Sequence, residues 1–267
     1  MLGFDYARPE KFDDVIALLL EAGPEALMLA GGTDLVVALR HHVARPRLVI
    51  DLKRVEGFRA EIREEDGSLV VPAGTTMTEI VRDRRIQALF AALVEAANVV
   101  GSIQIRNRAT LAGNICNASP AADTVPLLAL YGASVEIAGT SGTRLSSVED
   151  FVRGNRDTDL GEGEVVTAVR LPLPRQKTAS TFERITRRRG VDLATVNLGC
   201  LLQADGTVRY ALGAVAPRPL LVEGGGDPET LFDVATPITD VRAGADYRRA
   251  MLNVIAERAL ARARSAL

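Results

Sequence analysis

The sequence predicts an α+β chain of three successive units: a small α/β unit over residues 1–56, a larger α+β unit over 57–174 and a C-terminal α+β unit over 175–267. Three observations carry that reading. The chain has 267 residues, more than one typical domain and enough for two or three. Helical and strand-like patterns alternate in the opening third, whereas from Phe58 onward alternating runs and hairpin signals take over. Pro172-Leu173-Pro174-Arg175-Gln176-Lys177 then reads as a linker, because proline holds itself and its predecessor in extended geometry.

Taken in order, Phe12, Val15, Ile16, Leu19 and Leu20 recur at helical spacing, which predicts an amphipathic helix over 11–22 ended by Gly23-Pro24. Leu27 to Ala30 is a short buried strand, with Gly31-Gly32 as the turn after it. Leu35 to Leu39 begins a further helical turn, and Arg47 to Asp51 is a strand. Residues 58–64 alternate, Asp66-Gly67 is a hairpin signal and 68–73 returns as a strand. Thr76-x-x-Glu79 is a capping box for a short helix through Arg82. Leu89, Phe90, Leu93, Val94 and Ala97 mark one more helix, and Val125 to Tyr131 a buried one beginning near Thr124. Strands over 134–138 and 165–171 enclose a loop and a short helix over 148–153. Beyond the linker come strand-like runs at 178–185, 193–203 and 207–215, with Asp205-Gly206 as a hairpin turn, and then helices near 228–235 and 246–264.

Composition narrows the function. Apolar residues make up 47% and charged residues 25%, as in an ordinary globular protein. A net charge of -2 gives no global attraction to nucleic acid or an anionic membrane. No apolar run approaches the roughly 20 residues of a membrane helix, and residues 1–10 hold no charged-then-apolar leader. Two cysteines, Cys116 and Cys200, allow one bridge at most, which favours a cytoplasmic address. They cannot hold an iron–sulfur cluster unaided, since such a cluster takes four ligands. The two histidines, His41 and His42, are adjacent, so their side chains diverge on a helix and predict no metal site. No Gly-x-Ser-x-Gly elbow, G-K-[ST] loop or G-x-G-x-x-G fingerprint occurs. No catalytic acid, base or nucleophile stands out.

Two stretches break the ordinary pattern. One is Met28-Leu29-Ala30-Gly31-Gly32-Thr33-Asp34-Leu35, a short apolar run broken by two glycines and a hydroxyl. The other runs from Gly101 to Asp123 and clusters amides, hydroxyls and small residues, with almost no large apolar side chain after Leu111. Both read as loops. A dinucleotide presents phosphates, sugars and flat rings, and its phosphates seek N–H donors and close backbone approach. Gly31-Gly32-Thr33 and Thr110-x-x-Gly113-Asn114 each set glycine beside a hydroxyl or amide donor. One hydrogen bond to a charged group contributes about 1.5–3 kcal/mol, so several converging donors can hold such a ligand. A lone Gly-Gly-Thr reads as a structural turn; two such loops together, followed by Asn117 and Asp123, point to a ligand.

These motifs carry a family resemblance. Ala30 to Leu35 matches an A-G-G-x-[DS]-L loop, and Gln104 to Asp123 a Q-I-R-N-x-x-T-x-G-G-N-x-x-x-x-x-P-x-x-D pattern. On these the chain resembles the FAD-binding medium subunits of the molybdenum hydroxylases, the family that includes xanthine dehydrogenase and carbon monoxide dehydrogenase. The resemblance extends over nearly the whole chain. It implies a two-part PCMH-type FAD-binding region followed by a C-terminal α+β domain. It also implies FAD lined by Met28, Leu29, Ala30, Gly31, Gly32, Thr33, Asp34, Leu35, Thr110, Gly113 and Asn114 at the pyrophosphate and ribityl chain. Asn117 and Asp123 then make polar contacts, Val165 and Val166 lie beside the adenine or the ring system, and Leu193 approaches the isoalloxazine. Attachment is noncovalent, because no histidine or cysteine matches a flavin-attachment position. One departure stands out: Ala112 replaces the family's first of two glycines, crowding the backbone near the pyrophosphate unless φ is negative.

The resemblance further implies an electron-transfer subunit. Electrons reach FAD from 2Fe-2S clusters on a small partner chain, originate at a molybdenum cofactor on a large, molybdopterin-binding chain, and leave to a terminal acceptor. The assembly expected is a dimer of heterotrimers. The alternative is a self-sufficient FAD-dependent oxidoreductase with its own small-molecule substrate, and a non-catalytic scaffold is a third reading that only Ala112 supports.

Overall fold

The computed structural model describes residues 3–224 and 231–267. The opening segment is β1 (Asp5–Ala7), α1 (Phe12–Ala22), β2 (Ala26–Leu29), α2 (Leu35–Arg40) and β3 (Leu48–Asp51). Its three strands form a parallel sheet in the order β1-β3-β2. The central strand, β3, is buried at every position, as expected for a strand covered on both faces. α1 turns Val15 and Ile16 inward, and a 3-10 turn at Gly23–Glu25 ends it at the predicted Gly-Pro step.

The chain continues through β4 (Arg63–Glu65), β5 (Ser68–Pro72), α3 (Met77–Arg82), α4 (Arg84–Leu89), α5 (Ala91–Asn98), α6 (Ile103–Arg106), α7 (Leu111–Cys116) and α8 (Thr124–Leu130). It then forms β6 (Ser134–Gly139), β7 (Gly142–Ser147), α9 (Val148–Phe151), β8 (Val152–Gly154), β9 (Asp157–Thr158) and β10 (Val165–Pro172). Five of these strands make an antiparallel sheet ordered β4-β5-β10-β6-β7, and β8 pairs with β9. Asp66 and Gly67 both have positive φ (50° and 70°), the geometry of the tight hairpin that joins β4 to β5. Pro126 is tolerated in α8 because it lies in the first turn, where N–H groups lack intrahelical partners anyway.

Four sequence expectations are corrected here. Residues 58–62 do not pair as a strand; Phe58 turns into the core (1% exposed) and only Arg63–Glu65 joins the ladder. The helix drawn through Leu89 to Ala97 is two helices, broken at Phe90, whose ψ of 51° is not helical. The helix over 148–153 stops at Phe151, and β8 takes its place. The stretch from Gly101 to Asp123 is not a loop outside the core. It folds into α6 and α7 and buries Leu111, Ala112, Ile115, Ala118, Ala121 and Ala122.

After residues 173–177 come β11 (Thr178–Ile185), β12 (Val196–Gln203), β13 (Val208–Gly213) and β14 (Leu220–Gly224), an antiparallel sheet in that order. The helices are α10 (Leu231–Val234) and α11 (Ala245–Ala266). The helix expected near 228–235 lies partly outside the described residues. α11 covers the sheet with Leu252, Ile255, Ala256, Ala259 and Ala263, all fully buried and recurring on one face of the helix. Arg248, also buried, donates to the Thr195 and Ala214 carbonyls and to Asp240 (2.7 Å), so α11 and three connecting segments meet on one guanidinium.

Candidate cofactor-binding site

The site begins where parallel strands end. In parallel sheets, ligands lie beyond the carboxyl ends of the strands, and β2 delivers Ala30, Gly31, Gly32 and Thr33 to that edge. Among the described residues, the amides of Gly31, Gly32 and Thr33 donate to no protein group. Three successive amides without partners, in a turn where Gly32 has φ +78°, form the kind of concavity that accepts an anion.

Gly31 is required for a reason that its motif does not reveal. A Cβ there would sit 2.1 Å from the Arg108 carbonyl oxygen, so the bare backbone is what allows the second motif to close on the first. That second motif is held by capping. Ser102 Oγ accepts from the Ile105 amide at 3.3 Å, and Thr110 Oγ1 accepts from the Gly113 amide at 3.0 Å. Gly113 therefore spends its N–H on the cap, and a Cβ at that position would meet Thr110 Oγ1 at 2.7 Å. Ala112 faces the core at 3% exposure, which places its methyl among packed side chains. Arg106 donates to the Gly101 carbonyl at 3.2 Å and so closes its own loop.

A third segment, whose sequence signals only a helix cap, borders the same cleft. Thr76 bridges to Thr110, with the Met77 amide donating to the Ala109 carbonyl (2.9 Å) and the Leu111 amide to that of Thr75 (3.0 Å). Thr78 Oγ1 donates to Asn107 Oδ1 at 2.7 Å. The predicted capping box is present: Glu79 accepts from the Thr76 amide and hydroxyl at 2.7 and 2.8 Å, and binds Arg59 at 3.1 Å. Burial acts to raise the Glu79 pKa, but the Thr76 and Arg59 contacts outweigh it and hold the carboxyl below its usual range.

Together the three segments border an open cleft lined by Ala30, Gly31, Thr110, Thr76, Asn107 and Gly74, with Lys53, Arg59 and Arg108 supplying positive charge. Lys53 is anchored by Asp51 at 2.6 Å, at the end of β3. Burial would raise the Asp51 pKa, yet bonds from Lys53 and Tyr6 keep it lowered, so the carboxylate stays charged and holds its lysine in place. Lys53, Phe58, Arg59 and Gly74 lie outside both motifs, and Asn107 and Arg108 lie within the second, which assigns neither of them a contact. The run Ala73-Gly74-Thr75-Thr76 was the available signal, since it repeats the small-residue and hydroxyl character of the other two motifs.

The remaining sequence-predicted residues fall in several places. Met28 and Leu29 are half-buried on β2, while Asp34 and Leu35 stand at the start of α2. Asn114 Oδ1 accepts from Thr124 Oγ1 at 2.7 Å, and Asn117 ends α7. Asp123 binds Arg184 (2.8 Å) and Asn197 (2.9 Å), which ties the start of α8 to β11 and β12. Burial pushes the Asp123 carboxyl up to about 6, against the pull of Arg184 and Asn197. Val165 and Val166 are buried in β10. Leu193, 57% exposed between β11 and β12, does not line the cleft. Cys116 and Cys200 are unbridged, and burial lifts each thiol to about 12, which keeps both from acting as thiolates.

A parallel-sheet edge with free amides, closed by a capped second motif and lined with cations, defines a dinucleotide-binding α+β protein. Residues 2–174 match the family described as the FAD binding domain in molybdopterin dehydrogenase. The chain is 31% identical to the carbon monoxide dehydrogenase medium chain of Hydrogenophaga pseudoflava, over 96% of both chains. It is 33% identical to the xanthine dehydrogenase FAD-binding subunit of Escherichia coli O157:H7, over 81% of this chain and 77% of that one. A chain of the reconstituted CO dehydrogenase from Oligotropha carboxidovorans superposes with a TM-score of 0.92 at 29% identity, covering 99% of each. The chain belongs to the FAD-binding family of molybdopterin dehydrogenases. It is an FAD-dependent oxidoreductase subunit of the medium-chain type. Among the described residues no helix is long and apolar enough to cross a membrane.

Proposed function

We propose that this chain is the electron-transfer subunit of a molybdenum hydroxylase, working beside a small iron–sulfur subunit and a large molybdopterin-binding subunit. The assembly is a dimer of heterotrimers in the cytoplasm. Bound FAD supplies the redox chemistry, taking electrons from the small partner's clusters and delivering them to a terminal acceptor. This chain's residues position it. The amides of Gly31, Gly32 and Thr33 hold the pyrophosphate, with Ala30 and Thr110 as the walls of the cleft. Met28, Leu29, Asp34 and Leu35 support that turn. Gly113, Asn114, Asn117 and Asp123 shape the path of the ribityl chain, and Val165, Val166 and Leu193 lie toward the rings. Residues 1–56 and 57–174 are the two parts of the flavin-binding region and 175–267 the C-terminal domain, a division that the three separate large sheets support.

The observation that carries this reading is the row of three unpartnered amides closed by the Arg108 carbonyl. The test begins with the isolated chain. It should purify yellow, release FAD into the supernatant on acid precipitation, and oxidise neither aldehydes nor heterocycles. In the host cell it should co-purify with a cysteine-rich small chain and a large chain. Steady turnover by the isolated chain would replace this reading with a self-sufficient oxidoreductase, and a colourless folded chain that takes up no FAD would refute flavin binding.

A further inference from the structure

Two arginines at the cleft have no part in the motifs that identify the family. Arg108 occupies one of the two open positions in the Q-I-R-N-x-x-T pattern. Its carbonyl is the atom that Gly31 packs against, so its side chain departs from the point where the two motifs close. Among the described residues Arg108 makes no ion pair. Arg59 also lines the cleft and is held there by Glu79, which is itself fixed by Thr76. Lys53 brings the cations around the cleft to three, against the carboxylates of Asp51 and Glu79.

The polarity of the cleft says which part of a ligand fits. Its only large apolar wall residue, Phe58, is 1% exposed and offers no face for a flavin ring. Guanidinium groups, by contrast, match phosphate oxygens in planar, two-pronged geometry and stack on flat rings.

We propose that Arg59 and Arg108 clamp the ADP half of the dinucleotide, so that this chain discriminates FAD from FMN through two residues outside its family motifs. The inference rests on the FAD-binding reading above. Arg59 is a pre-set wall, because Glu79 fixes its orientation before the ligand arrives. Arg108 is the free jaw, exposed and able to turn onto the diphosphate.

The test measures dissociation constants for FAD and FMN, and inhibition by ADP of FAD uptake, in the wild-type chain and in Arg59→Ala, Arg108→Ala and the double variant. Arg258→Ala on α11 serves as a control for lost charge. Each cleft substitution should weaken FAD and ADP in parallel by about tenfold or more, the effect of one lost charge-assisted hydrogen bond. FMN affinity should fall less, since FMN carries one of the two phosphates and no adenosine, and the thermal midpoint should stay at its wild-type value. The Arg108 effect should shrink as salt rises, since an exposed charge is screened. Unchanged FAD affinity in the double variant would overturn the clamp. So would equal losses for FAD and FMN, or a wild-type chain that binds FAD with no competition from ADP. A wild-type chain that binds no FAD would instead refute the proposed function.

Discussion

At the scale of single residues, closure and burial set the behaviour of the site. Gly31→Ala places a methyl group 2.1 Å from a backbone oxygen that cannot swing aside as a side chain would. Overpacking of this kind costs about 1–3 kcal/mol, and the strain falls on the junction of the two motifs. The expected outcome is a lower unfolding midpoint in denaturant together with loss of flavin on gel filtration. Retention of FAD at the wild-type ratio would show that the junction can open without harm. Asp123 gives a second, independent measurement. Its carboxyl titrates near 6 in the folded chain against an ordinary 3.8, so the folded state binds more proton between those values. Its contribution to stability is therefore largest below about 3.8 and is lost as pH rises through about 6, by roughly 3 kcal/mol in all. Asp123→Asn cannot titrate, so its stability should fall less than the wild type's between pH 4 and 6.5. Parallel curves for the two proteins would place the Asp123 pKa near its unfolded value.

At the scale of elements, the start of α3 matters more than its length suggests. Its capping box satisfies the Thr76 amide and orients Glu79, and Glu79 in turn fixes Arg59 at the cleft. The residues flanking Thr76 hydrogen-bond across to Ala109 and Leu111, so one cap supports two walls. Thr76→Ala should lower stability by about 1 kcal/mol, the usual effect of losing an N-cap. It should also speed FAD release, seen as recovery of flavin fluorescence after dilution. Thr76→Ser keeps the hydroxyl and should restore both. A stable Thr76→Ala chain with unchanged release would confine the cap to a local role.

At the scale of the whole molecule, Asp123 with Arg184 and Asn197, and Glu95 with Arg262 and the Phe182 amide, tie the flavin-binding region to the C-terminal sheet. The connection between β11 and β12 extends beyond that junction and carries Arg187, Arg188 and Arg189. Two of them hold the loop itself: Arg187 pairs with Asp192 at 3.2 Å, and Arg188 donates to the Val191 carbonyl at 3.0 Å. Arg189 makes no hydrogen bond or ion pair among the described residues, which leaves it as the charge available to a partner. In the assembled complex, Arg189→Glu should slow flavin reduction by substrate while flavin content stays at the wild-type ratio. An unchanged reduction rate would show that this loop makes no contact on which electron transfer depends.

The α+β class, the hairpin at Asp66-Gly67, the capping box and the family were legible in the sequence alone, because each depends on neighbours a few positions apart. Periodicity, turn chemistry and a long motif are local signals. Only the tertiary structure decided why Gly31 must be glycine, since the Arg108 carbonyl that forbids a side chain lies far along the chain. The same holds for the break at Phe90, the edge strand β7 and the recruitment of Lys53, Arg59 and Arg108 to one cleft. β7 alternates too weakly to announce itself, and Phe90 reads as helical until its ring meets Tyr131 edge-on at 5.0 Å. The stretch from Gly101 to Asp123 looks like a loop because its residues are small and polar, yet it carries the four-residue α6 and the six-residue α7. Small side chains are what let helix and loop backbones approach closely, and no pattern along one segment records what approaches it from another.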